Sequence, residues 1–328
     1  MEDHARLTLN LISLPMKQLL LIAITAILGL TLQAQDHGII YRFSEEAEMI
    51  FASGTTIELV ADSFRFTEGP VWSPEGYLLF SDVPESKIYK VTEEDVISLF
   101  IHPSGNTNGL AFLPDGRLIG CQREPRRLAV IKGNGDFDSY VDRYHGKRFS
   151  SPNDLTVHSQ GHVFFTDPPW GLDKKFQDPE KEISFSGVFM LNYHTGKISV
   201  IDSLLELPNG IALSPDEKQL YVAENRCNGD VSKRFDMPQL WMRYELDEKL
   251  RVVNREEFIF ASDSIPPRSP DGMKVDHRGN LFCTGPGGLF VYNPEGEPIA
   301  FLKLRIPPSN CTFGGANQNI LYITAKNA

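Results

Sequence analysis

The feature that most constrains this chain is a segment of about fifteen residues that recurs six times. From Glu68 it reads EGPVWSPEGYLLFSD, from Asn108 NGLAFLPDGRLIGCQ, and from Asn153 NDLTVHSQGHVFFTD. From Asn209 it reads NGIALSPDEKQLYVAE, from Asp271 DGMKVDHRGNLFCTG, and from Asn310 NCTFGGANQNILYITA. Each copy opens on a small acid or amide and continues as an alternating apolar run, a polar turn and a second apolar run. That is the period-2 signature of two antiparallel strands joined by a short turn. The heads are spaced 40, 45, 56, 62 and 39 residues apart, the range of propeller blades or slightly beyond it. A further pair of apolar runs follows most copies, such as KIYKV and VISLFI after the first or GVFMLN and KISVID after the third. The pattern predicts an all-β, six-bladed β-propeller with four-stranded blades. The 22 prolines and 26 glycines supply its turns.

Ring closure is the weak point of that reading. TIELVAD, residues 56–62, reads as an outer strand donated to the sixth blade. After the sixth copy the sequence runs out at LYITAKNA, where a third strand would begin. The expectation is an incomplete last blade or a chain that stops short. Two long polar insertions, PWGLDKKFQDPEKEISF before the fourth copy and NRCNGDVSKRFDMPQ within it, read as loops on one face, where a propeller forms a substrate mouth.

The N-terminus is of a different character. From Met16, a lysine and then an uncharged apolar run from Leu19 to Leu32 lead to Leu32-Gln33-Ala34, the pattern of a secretory signal peptide rather than a membrane span. Glu2 and Asp3 suit such a peptide poorly, which points to Met16 as the start of translation. The organisation expected is a signal peptide over 1–34, a lead-in over 35–55 and the propeller over 56–328, with a periplasmic or secreted protein after cleavage near Ala34. Cys121, Cys227, Cys283 and Cys311 include no C-x-x-C pair and read mostly as buried free thiols. A net charge of −11 without a Lys/Arg run argues against nucleic-acid binding. No stable membrane anchor is expected.

In a propeller the innermost strand of each blade lines the central channel. The six heads, Glu68, Asn108, Asn153, Asn209, Asp271 and Asn310, would then face the axis at one end. Two carboxylates and four amides form an all-oxygen set suited to a hard divalent cation such as Ca²⁺. Asn-Gly and Asp-Gly also make turns, but a glutamate at an equivalent position has no such excuse. No histidine heads a copy, and His158, His162 and His277 read as surface residues. There is no G-x-S-x-G elbow, H-E-x-x-H pair or phosphate loop.

FTEGPVW, DRYHGKRFSSPNDLTV, FFTDPPWGL, LPNGIALSPDEKQLYVAE and PDGMKVDHRGNLFCTGPGG together resemble the gluconolactonase/regucalcin (senescence marker protein) family, over roughly residues 56–325. That resemblance implies a metal-dependent sugar lactonase. It implies calcium or another divalent cation held by Glu68, Asn209 and Asp271, with Asn153 a fourth ligand or a substrate contact. Asn108 and Arg123 would join Asn153 in binding a small sugar lactone. Asp271 would be the catalytic carboxylate. Ser151 stands where animal regucalcins carry an arginine, and Arg123 where bacterial lactonases often carry a histidine, so the substrate is less defined than the cation. The same ring could serve a phosphotriesterase- or paraoxonase-like hydrolase, and a non-catalytic binding propeller is a third alternative.

Overall fold

The computed structural model describes residues 37–133, 135–234, 236–261 and 269–326. The expected signal peptide, its cleavage site and the Met16 start all lie outside the described residues. Within them the repeat is realised as antiparallel sheets in chain order, each strand pairing with the next. Blade 1 runs Thr67–Ser73, Tyr77–Asp82, Lys87–Thr92 and Ile97–Ile101. Blade 2 runs Thr107–Phe112, Leu118–Gln122, Arg127–Ile131 and Phe137–Val141. Blade 3 runs Leu155–Val157, Val163–Asp167, Gly187–Leu191 and Ile198–Asp202. Blade 4 runs Pro208–Leu213, Gln219–Glu224, Leu240–Leu246 and Val252–Phe260. Blade 5 runs Met273–Val275, Leu281–Gly285, Gly288–Tyr292 and Pro298–Leu304.

The six-bladed expectation is corrected: the propeller has five blades, four of them four-stranded as expected and the fifth extended by one strand. The sixth copy of the motif forms only a two-stranded hairpin, Pro308–Gly314 with Ile320–Ala325, which packs between blade 5 and blade 1. Counting motif heads counts hairpins, not finished sheets. The TIELVAD stretch is also corrected, since it forms no strand. An outer strand needs a third strand to ladder on, and the hairpin offers none. An isolated bridge pairs Phe66, just before blade 1, with Lys326, just after the hairpin. The strand that is donated comes from earlier in the chain. Gly38–Arg42 adds antiparallel to Pro298–Leu304 as a fifth strand of blade 5. A single helical turn, Glu46–Ile50, follows it, and Ala47 and Phe51 are buried against Phe282 and Leu289.

Alternation places one apolar face of each sheet against the next sheet, so the core is a series of seams rather than one centre. Ile119, Cys121 and Leu128 meet Leu155, Phe165 and Phe189 between blades 2 and 3. The closing seam is the thinnest, with Leu78, Phe80 and Val91 buried beside Phe64, Trp72 and Tyr322. Trp72 stacks on Tyr322 at 5.6 Å across it. All four cysteines are buried free thiols, as their spacing suggested.

The last residue of the second strand does a repeated structural job. Asp82 accepts from the amides of Arg65 and Phe66, Asp167 from those of Ser150 and Ser151, and Glu224 from that of Glu206. Each carboxylate thereby ties down the segment entering its inner strand. Burial raises Asp167 to about 6 and Glu224 to about 7, while these backbone donors pull both downward.

The histidine reading is corrected as well. His277 is exposed, but His158 and His162 are buried. His158 accepts from the Gln160 amide and pairs with Glu217 at 3.1 Å, and His162 accepts from the Tyr193 amide. Turn amides at the far end of blade 3 supply ring-nitrogen partners that alternation cannot reveal.

Candidate active site

The heads lie where the inner strands begin, and neighbouring blades are locked together at that level. Ser81 donates to the carbonyl of Asn108, Thr166 to that of Asn209 and Thr284 to that of Ser309. These hydroxyls occupy the same place in FSD, FTD and CTG. The lock belongs to blades 1, 3 and 5; the second and fourth copies place Cys121 and Ala223 there.

The glycine after a head serves close approach. A Cβ on Gly69 would lie 2.0 Å from the Asn108 carbonyl oxygen, and one on Gly272 would lie 1.9 Å from Cγ of Asn310. Gly109 and Gly210 are pressed in the same way by Asn153–Asp154 and Asp271. Of these four, only Gly69 has positive φ, at 52°. The head-glycine pair is thus chiefly a packing device and only once a left-handed position.

Blade 3 departs from this rule, and the departure exposes a residue the sequence reading missed. Asp154 stands in the glycine position and brings a third carboxylate to the ring. It is 3% exposed, like Glu68, while Asp271 keeps more contact with solvent. Blades 1, 3 and 5 therefore contribute acids, and Asn108, Asn209 and Asn310 alternate with them. The signal was present: Asp154 is the acidic exception in a slot that is glycine in four of the six copies.

Hydrogen bonds connect the ring. Asn108 Nδ2 donates to Asn153 Oδ1 at 3.1 Å, leaving the buried Asn108 Oδ1 without a partner. Asn310 Nδ2 donates to Glu68 Oε2 at 3.3 Å and to Asp154 Oδ2 at 3.2 Å. The Asn209 side chain lies beside Asp271 and favours its anion. Burial first, and then the Asp154 charge, raise Glu68 to about 7. Burial, Glu68 and Asp154 hold Asp271 well above the ordinary carboxylate range. Asp154 is raised by burial, with Lys274 opposing the shift.

Arg123 belongs to the same neighbourhood. Its guanidinium is pushed down by burial and back up by Glu68. It makes no side-chain hydrogen bond among the described residues. Above it, the first insertion is attached through Gly171, whose amide donates to Ser151 Oγ at 2.9 Å. The two insertions meet where Arg234 lies over the Trp170 ring.

The donor set fits a hard divalent cation in its chemistry. All donors are oxygens, one amide oxygen is buried without a partner, and three carboxylates near each other are disfavoured as anions until positive charge is supplied. Among the described residues no three His, Cys, Asp or Glu side chains are close enough to hold an ion by themselves. An ion would draw on the asparagine oxygens as well.

Residues 66–327 match the family described as SMP-30/Gluconolactonase/LRE-like region. The chain belongs to that family. It is 36% identical over 314 residues to a gluconolactonase of Zymomonas mobilis, covering 88% of this chain and 84% of that one. A solved gluconolactonase from Xanthomonas campestris superposes with a TM-score of 0.76 at 27% identity, covering 87% and 91% of the two chains. A calcium-binding regucalcin from Agrobacterium tumefaciens shares the fold, with a TM-score of 0.61 at 17% identity over 79% of this chain and 81% of that one.

Proposed function

We propose that the protein is a lactonase that hydrolyses a sugar lactone at the head ring with the help of a divalent cation, calcium by preference. The observation that carries this reading is the convergence of Glu68, Asp154 and Asp271 in one buried electrostatic neighbourhood. A propeller used only for binding has no need of three mutually repelling acids. The kinship with gluconolactonases selects the carbonyl of a lactone as the group acted upon.

Glu68, Asn209 and Asp271, joined by Asn153, would hold the cation, which when bound supplies Lewis-acid polarisation of the lactone carbonyl. Asn108, Asn153 and Arg123 would orient the sugar hydroxyls. The Arg123 guanidinium brings donors that no other described side chain occupies. Asp271, the most accessible of the three acids, takes a proton from the attacking water. Water oxygen bonds to the carbonyl carbon, the ring C–O bond breaks, and the proton passes to the released ring oxygen. The product is a hydroxy acid. A signal peptide over 1–34, cleaved near Ala34, would place this reaction in the periplasm or outside the cell.

The test is proton release from glucono-1,5-lactone by the purified protein with calcium, with chelator, and in Asp271→Ala and Glu68→Ala. Activity abolished by chelator and by both substitutions is the expected result. Turnover indifferent to chelator would remove the cation from the reaction, and no turnover of any lactone would remove the activity itself.

A further inference from the structure

The sixth motif copy, which builds only a hairpin, contributes the residue that joins two carboxylates of the ring. Asn310 is 2% exposed. Its Oδ1 accepts from the Cys311 amide at 2.8 Å, which determines that the NH₂ end of the amide faces Glu68 and Asp154. Each hydrogen of that one nitrogen is directed at a different blade, Glu68 in blade 1 and Asp154 in blade 3. Behind it, Gly272 leaves no room for any other placement, since even a methyl there would overlap Cγ. The backbone is held too: the Asn310 carbonyl accepts from Thr324 Oγ1, and neighbouring Ser309 Oγ donates to the Thr67 carbonyl beside Glu68.

We propose that Asn310 is a positioning residue, a neutral wedge seated on Gly272 that keeps Glu68 and Asp154 apart and aimed at the channel axis. Two buried carboxylates that share no donor repel across a low-dielectric gap and lose acceptor partners together. An amide between them supplies one hydrogen to each and adds no charge. Asn310 touches the reacting groups only through these acids. The inference takes the ring to be the reaction site, but the wedge itself does not depend on that reading.

The same wedge can be removed in two independent ways. Asn310→Ala deletes the amide. Gly272→Ala keeps the amide and evicts it by placing a methyl where Cγ stands, with no polar group changed. Crystal structures of both full-length variants are expected to show the Glu68 carboxylate rotated away from its wild-type position. Calorimetric titration with calcium is expected to show affinity weakened by about tenfold in each, the usual scale for a lost outer-shell partner. Lactone kcat should fall while KM changes little.

Glu68 and Asp154 unmoved in both variant structures would overturn the proposal. So would wild-type calcium affinity and kcat in variants that melt at the wild-type temperature. If Gly272→Ala does not fold, Asn310→Ser, which keeps a small polar side chain but cannot reach both acids, takes its place with the same two readings. Wild-type protein that neither binds calcium nor turns over lactone would defeat the functional reading alone, and the Glu68 position in the variant structures would still decide the role of Asn310.

Discussion

Blades 1 and 3 both deliver a carboxylate to the same buried cluster, and they do so from different positions of the same motif. In blade 1 the acid is the head itself, Glu68, and the next residue is a left-handed glycine against which the Asn108 carbonyl packs. In blade 3 the head is Asn153 and the acid is the following residue, Asp154, whose Oδ1 accepts from the Leu155 amide. The two acids reach a common donor, Asn310 Nδ2. A repeat thus specifies where a strand begins, while the space left by the neighbouring blade decides which residue can carry a side chain toward the channel.

Gly69 is the position where blade 1 tolerates substitution least. Alanine there must adopt φ near 52° and place its Cβ against the Asn108 oxygen, so Gly69→Ala should destabilise the fold by about 3 kcal/mol in chemical denaturation. Next in size is Glu68→Gln, which keeps the shape and loses the charge. Lactone kcat/KM should fall by about a hundredfold, roughly 2.7 kcal/mol, with the melting temperature unchanged or raised.

Asp154→Gly gives blade 3 the residue that four other copies carry. The fold should tolerate it, and activity should fall by about tenfold, on the scale of an outer-shell carboxylate. Equal activity would mean that, of these two blades, only blade 1 supplies a working acid.

The smallest effect separates structural acids from those of the ring. Glu224 sits near 7, above the ordinary glutamate value, because burial disfavours its anion. The folded protein therefore holds this proton to higher pH than the unfolded chain does. Stability from this group is greatest below about 4.5, declines as pH rises toward 7, and its cost is complete above that. Glu224→Gln should flatten that stretch of the stability–pH curve by at most about 1.4 kcal/mol per pH unit, read from urea midpoints across the range. An unchanged slope would show that the decline originates elsewhere.

Much of this molecule was legible in one dimension, because strand alternation and turn chemistry are local. The six motif copies, the paired strands after most of them, the loop character of the two insertions and the buried free cysteines all follow from patterns a few residues long. The six heads could be named because they recur, and each lies within two residues of where its inner strand begins.

The remaining features depend on partners far apart in the chain. The 38–42 strand finds its place on 298–304 through pairing across the whole chain, which no local pattern encodes. His158 and His162 are buried by turns and neighbours that alternation does not register. The glycines matter because another blade presses on them, and Asp154 matters because the equivalent slot of blade 3 buries a carboxylate instead. Asn310 and Glu68 are 242 residues apart yet share a hydrogen bond. A repeated sequence determines its units through short-range backbone preferences, whereas ring closure and the occupancy of each slot at the axis depend on which units meet.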